Sequence, residues 1–191
     1  MSESDHFSGG VKKLAQKIRQ RSSDLSPFLN GVDAFTAELQ GIPDRTYLNK
    51  ATLHKIAKEK SPRKADLVFN NSDEAIERIT ALAFSLNEDA KSMQLLCVLD
   101  GVNVPTASAI LSWMFPEKWP VIDQRAWRVL YNAEIVNTRE DGIGLGVPQW
   151  NEYMKAVREL HRAIPDLAKT PQQVDRLLFG LDILTANEGD A

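Results

Sequence analysis

Asp123 is the residue of this chain whose setting most resembles that of a working group. It follows Phe115-Pro116-Glu117-Lys118-Trp119-Pro120, a stretch stiffened by two prolines, and the apolar pair Val121-Ile122. It precedes a helix-forming run, Gln124-Arg125-Ala126-Trp127-Arg128-Val129-Leu130. A carboxylate on a rigid, partly apolar mount is held in fixed geometry and can face a developing cation. An Asp at that position is also a good helix N-cap. The two roles are compatible, because one oxygen can cap while the other faces a substrate.

Upstream lies a tight Leu99-Asp100-Gly101-Val102-Asn103-Val104 hairpin, with a second helix opening at Pro105-Thr106. Gly101 lacks a Cβ and can take positive φ. Asn103 is the non-glycine residue that best tolerates a left-handed conformation and can close the turn. Exposed N–H groups at a helix start make an anion site, so Gly101, Val102, Asn103, Val104 and Thr106 are candidate phosphate ligands. The competing reading of the same pattern is a plain corner in an all-helical core. Hairpin and acid together point to chemistry on a nucleic-acid backbone or sugar.

The elements that must position these residues nearly all carry the helical period. Val11, Leu14, Ala15 and Ile18 mark one face, after a first ten residues expected to be a flexible tail. Phe28, Leu29, Val32, Phe35 and Leu39 suggest shorter helices ending at Gly41-Ile42-Pro43, and Leu48, Leu53, Ile56 and Ala57 form a face stopped by Ser61-Pro62. Asn71-Ser72-Asp73-Glu74 caps a helix carrying Ala75, Ile76, Ile79, Leu82, Ala83 and Leu86. Trp150, Met154, Val157 and Leu160 share one side of a helix within Val147 to Ile164. Thr170-Pro171-Gln172-Gln173 then caps a helix burying Val174, Leu177, Leu178, Leu181 and Leu184. Asp141 to Pro148 has the composition of a phosphate loop but no leading strand and no closing Gly-Lys-Ser/Thr, so it reads as a flexible connection. With no convincing strand, the fold class is all-α: a single domain over 11–186, with tails at 1–10 and 187–191 and the hairpin and Asp loop at 95–131. The N- and C-terminal helices are expected to form one half and the hairpin-bearing bundle the other.

Composition sets outer limits. The 191 residues are 43% hydrophobic and 26% charged, which excludes extensive disorder. No apolar run approaches the ~20 residues of a membrane span, and MSESDHFSGG has no secretory pattern. The one cysteine, Cys97, excludes an internal disulfide and any cysteine-ligated zinc or iron–sulfur site, and fits a reducing cytoplasmic setting. Net charge is −3, against general coating of DNA, but 11 of the 23 basic residues fall in two runs. One is Lys12, Lys13, Lys17, Arg19 and Arg21. The other is Lys50, Lys55, Lys58, Lys60, Arg63 and Lys64. Each is either a solvated helix face or a local phosphate-facing patch.

The region 71–131 resembles the helix-hairpin-helix base-excision DNA glycosylases. The family's leucine–proline–glycine–valine–glycine pattern and following Thr-Ala look like Leu99-Asp100-Gly101-Val102-Asn103 and Thr106-Ala107. The family's catalytic Asp segment resembles Val121-Ile122-Asp123-Gln124-Arg125, and the Asp123 to Trp127 spacing is closest to the 8-oxoguanine glycosylase branch. Asn71 to Ile79 resembles the helix that precedes the hairpin in these enzymes. The resemblance implies a glycosylase-like helical bundle, duplex DNA with a damaged or mismatched base as partner, and hydrolysis of an N-glycosidic bond assisted by Asp123. It implies a monovalent cation, Na or K, held by the carbonyls of Cys97, Leu99 and Val102. Bifunctional members carry a Schiff-base lysine where this chain has Pro105, so base release without lyase activity is expected. Asn103 stands for the second hairpin glycine, Asp100 for the usual proline, and Arg125 where a His often sits. Trp113, Phe115, Trp119 and Trp127 are core candidates, one of which could line a base pocket. Two other readings stay open: a catalytically silent helix-hairpin-helix DNA-binding module, and a helical interaction protein without a nucleic-acid role.

Overall fold

A computed structural model describes residues 3–29, 37–39 and 45–189. Among these every regular element is a helix and there is no strand. In chain order the helices are α1 (Glu3–Gln20), α2 (Ser22–Leu29), α3 (Lys50–Lys60), a 3-10 segment (Pro62–Asn70), α4 (Asp73–Ser85), α5 (Asp89–Leu96), α6 (Val104–Met114), α7 (Gln124–Asn132), α8 (Val147–Ala163) and α9 (Pro171–Gly189). The expected helical positions Val32 and Phe35 and the stop at 41–43 lie outside the described residues. No helix among those described is long and apolar enough to cross a membrane.

Helix starts follow their side chains. Asn49 caps α3 through Thr52 N–H, Ser72 caps α4 through Ala75 N–H, and Thr170 Oγ1 accepts from Gln173 N–H at 3.2 Å beside α9. Gln173 Oε1 in turn reaches back to Lys169 N–H at 2.6 Å. Each such cap satisfies a donor that the first helical turn leaves open and is worth about 0.5–2 kcal/mol.

The helices sort into two packed groups. The first comprises α1, α2, α7, α8 and α9, with α9 lying along α7, α2 and α8. The second comprises α3, the 3-10 segment, α4, α5 and α6. Helix α5 packs on both α6 and α8 and ties the groups together. One continuous core runs through both, with Trp127, Trp150 and Tyr153 on one side and Leu53, Ile56 and Ile76 on the other, all fully buried.

Three local expectations need correcting. Residues 3–10 are helical rather than a tail, and residues 187–189, also expected in a tail, continue α9. Gly10 is buried where a Cβ would lie 2.7 Å from the Ala133 carbonyl, so its lack of a side chain lets α1 seat against the end of α7. Phe7 packs on the core, with Lys155 Nζ 4.4 Å from its ring centre. At the hairpin, Asn103 is extended (φ −102°, ψ 175°) and the left-handed residue is Gly101 (φ 83°). The glycine alone turns the chain, which frees the Asn103 side chain to cap α6.

Candidate active site

The acid sits where the two helix groups meet. Residues 115–123 leave α6 and cross to α7 along a path fixed at several points. Trp119 is buried and donates from Nε1 to Asp89 at 2.8 Å. Pro116 O accepts from Gln172 N–H at 3.4 Å, and Ile122 N–H donates to Ser108 Oγ at 3.1 Å inside the core. Lys118 donates to the Leu86 carbonyl and lies over the Trp119 ring. The mount is therefore rigid because α5, α6 and α9 each hold it, beyond the stiffness of its two prolines.

Asp123 is the N-cap of α7: its Oδ1 accepts from Ala126 N–H at 2.9 Å. Its Oδ2 faces Lys60 Nζ across 4.0 Å, with the two side chains 23% and 19% exposed. At that separation the charges attract without a direct hydrogen bond, so both groups keep capacity for a ligand.

Both line a cleft of about 560 Å³, within the ~300–1,000 Å³ range of small-molecule sites. Lys60 comes from the end of α3, Asn103 and Pro105 from the hairpin exit, and Asp123, Gln124 and Arg125 from the start of α7. The far wall is Gly142, Gly144 and Leu145, and Phe179 of α9 supplies an aromatic ring. The glycine-rich connection is thus part of the site. Gly142 takes φ 68°, and a Cβ there would meet Gln124 Cα at 2.8 Å, so only a glycine lets the loop close on the start of α7. Trp113, Phe115, Trp119 and Trp127 pack in or against the core.

Around the acid the charges are organised in layers. Arg125 Nη1 bonds Asp182 at 3.1 Å, and Arg128 grips the same carboxylate with Nε and Nη2, at 3.2 and 2.7 Å. That fork holds α7 to α9 and raises the Arg128 pKa through its hydrogen bond to Asp182. In the core, Asp175 accepts from Tyr153 Oη at 2.7 Å. Burial first, and then the negative charge of Asp123, push the Asp175 pKa up to about 8, against opposing hydrogen bonds from Tyr153 and the Val121 backbone and the charge of Lys60. Burial also raises Tyr153. Near neutrality Asp175 is therefore mainly a protonated carboxyl.

The candidate phosphate ligands are only partly free. Val102 N–H donates to the Leu99 carbonyl at 3.1 Å. Thr106 N–H donates to Asn103 Oδ1 at 3.0 Å, and the Thr106 hydroxyl bonds Asn103 and Ser61. Asn71 clasps the hairpin from outside, donating to Asp100 O and accepting from Asp100 N–H, both at 3.0 Å. A Cβ on Gly101 would meet Val68 N at 2.9 Å and Lys64 O at 3.1 Å. The hairpin thus seats directly on the 3-10 segment, which sequence periodicity did not show, and Arg63 and Lys64 of that segment are exposed. Cys97 ends α5 half-buried, and burial raises its thiol pKa to about 11. No cluster of three or more His, Cys, Asp or Glu side chains placed for a metal occurs among the described residues.

Lys60, Asp175, Gly142 and Phe179 were not singled out from the sequence as site residues. Lys60 left a trace as one member of a basic run, and Gly142 as part of the glycine-rich stretch that reads as a flexible connection. No family model, curated protein or solved structure matches this chain.

Proposed function

We propose that this protein binds duplex DNA and hydrolyses the N-glycosidic bond of an altered base, leaving the backbone intact. The observation that carries the reading is the meeting of hairpin exit and acid: Asn103, Pro105 and Asp123 open on one cleft although Asp123 lies 18 positions after Pro105. A base turned out of the duplex enters that cleft between Phe179 and the glycine-rich wall, where an aromatic face can stack on it. Asp123 Oδ2 lies beside the sugar, stabilises positive charge as the C1′–N bond lengthens, and accepts a proton from the attacking water. Asp123 Oδ1 stays on Ala126 N–H, so the acid does not swing away during the step.

Phosphate contacts come from the Gly101–Val104 turn and from the exposed Lys58, Arg63 and Lys64 beside it. The hairpin carbonyls of Cys97, Leu99 and Val102 are neutral oxygens suited to a monovalent cation, and Leu99 O keeps a second lone pair beyond its bond to Val102 N–H. A cation there would supply positive charge toward a phosphate.

The deciding experiment is a panel of duplexes, each carrying one of uracil, hypoxanthine, 8-oxoguanine or 7-methylguanine, assayed for free base. Release of at least one base is expected, together with duplex affinity that falls as salt rises. Salt-sensitive binding without release from a broad panel would leave the silent DNA-binding module, a reading favoured by the capping bond that Asp123 makes. Absence of binding would leave the helical interaction protein.

A further inference from the structure

Lys60 enters the site from α3, 63 residues before Asp123 in the chain, and its local sequence marks it only as one member of a basic run. Its placement needs an explanation that helix capping does not provide. Asp123 is already oriented by Ala126 N–H through Oδ1, so the acid does not depend on Lys60 for its rotamer. The ammonium stops 4.0 Å short of Oδ2, with both side chains mostly buried. The gap keeps a cation and an anion side by side in the cleft with hydrogen-bonding capacity unspent. The other cleft cation, Arg125, is committed to Asp182, and a guanidinium does not release its proton in proteins. Lys60 is therefore the cleft cation able to give up a proton.

We infer that Lys60 is the proton donor to the departing base, and that Asp123 returns that proton to it. The role rests on the base-release reading above. In the forward step the C1′–N bond breaks and both its electrons go to the base, while a Lys60 ammonium proton passes to a ring nitrogen or exocyclic oxygen of that base. Water then bonds to C1′ and loses a proton to Asp123 Oδ2. That proton crosses the short gap to the neutral Lys60 amine, restoring the ammonium and the carboxylate. The sum is sugar plus neutral base from nucleotide plus water, with no other reactant. A general acid so placed contributes about 10²–10⁴-fold to a rate.

The test uses the full chain on whichever panel duplexes it opens. Lys60→Ala and Lys60→Met, the latter keeping the buried stem, should slow base release by about 100-fold or more while thermal melting stays cooperative. Lys60→Arg should keep duplex affinity and remain as slow, because its charge is retained and its transferable proton is not. Alkylammonium buffers of graded acidity should rescue Lys60→Ala, with rates rising with acid strength. Full activity in Lys60→Arg, or rescue indifferent to acidity, would reduce Lys60 to a fixed charge and overturn the proposal. So would a covalent DNA adduct trapped by borohydride in the wild type and lost in Lys60→Ala, which would make the amine a nucleophile. Absence of release already in the wild type overturns the base-release reading itself, and this role with it.

Discussion

The two basic runs carry similar charge and lead different lives. In the run over 11–21, Arg19 pairs with Asp166 and donates to the Ala163 carbonyl, and Arg21 pairs with Asp24 and Glu188. Lys13 and Lys17 line a separate cleft of about 450 Å³ whose walls include Asp182 and Glu134. The two arginines of this run are thus spent on carboxylates of the protein itself, while Lys12, Lys13 and Lys17 are exposed and form no part of the cleft around Asp123. In the run over 50–64, Lys50 and Lys55 are paired with Asp73 and Glu38, but the end of the run behaves differently. Lys60 turns into the cleft, and Lys58, Arg63 and Lys64 are exposed around the segment on which the hairpin rests. Equal charge counts thus say little about binding. What separates the runs is which one the fold sets beside the hairpin and the acid.

The largest effect that would sharpen this contrast belongs to Asp123, which adjoins only the second run. Asp123→Asn keeps an acceptor for Ala126 N–H and removes the charge, so base release should fall by at least about 100-fold. Duplex affinity should stay level or rise. Retention of most activity would leave only the capping role.

Next comes the contrast itself. Replacing Lys58, Arg63 and Lys64 together by alanine should weaken all duplexes similarly and flatten the salt dependence by about 2 to 3 in log–log slope, near 0.9 per lost phosphate contact. The matched Lys12, Lys13 and Lys17 triple variant should change that slope by less than about 1. Equal slopes would break the distinction between the two runs.

Gly101→Val acts on the junction of hairpin and basic segment. The residue combines φ 83° with a Cβ site 2.9 Å from Val68 N, so a cost of about 1–3 kcal/mol in stability is expected from strained backbone alone. Affinity should fall for every duplex to a similar degree. Unchanged binding in a folded variant would mean that the hairpin is a core corner.

The smallest expected effect concerns Asp175, beneath the same site. Its folded pKa, about 8, lies above the ordinary carboxylate value. The stability tied to its proton is therefore fully present below the usual carboxylate range and is lost as pH rises toward 8. Asp175→Asn should remove this slope, so that between pH 5 and pH 8 the variant loses less stability than the wild type by about 1 kcal/mol or more, given ~1.4 kcal/mol per unit of pKa. Parallel melting curves across that range would show that Asp175 is already ionised in the fold.

Much of the helical framework was legible because helices are local. The apolar 3–4 spacing of Trp150, Met154, Val157 and Leu160, and the capping types at Asn71-Ser72 and Thr170, fall where α8, α4 and α9 form. The capping role of Asp123 was legible too, since an N-cap needs only its own next turn. The helical state of residues 3–10 was not, because Gly9-Gly10 lowers local propensity and the contacts of this segment, Phe7 on the core and Gly10 against Ala133 O, are tertiary. The wall formed by Gly142 was hidden for the same reason: its meaning lies in Gln124, 18 residues earlier.

What the sequence by itself determined is the all-α class, most helix limits, and one acid behind a stiff loop after a glycine turn. Those follow from contacts within a turn or two of the chain. The tertiary structure alone decided what surrounds the acid. Lys60 from α3, Phe179 from α9 and the buried Tyr153–Asp175 pair come together because two helix groups pack across α5. Charge–charge coupling and desolvation act over a few ångströms of space, whatever the distance along the chain.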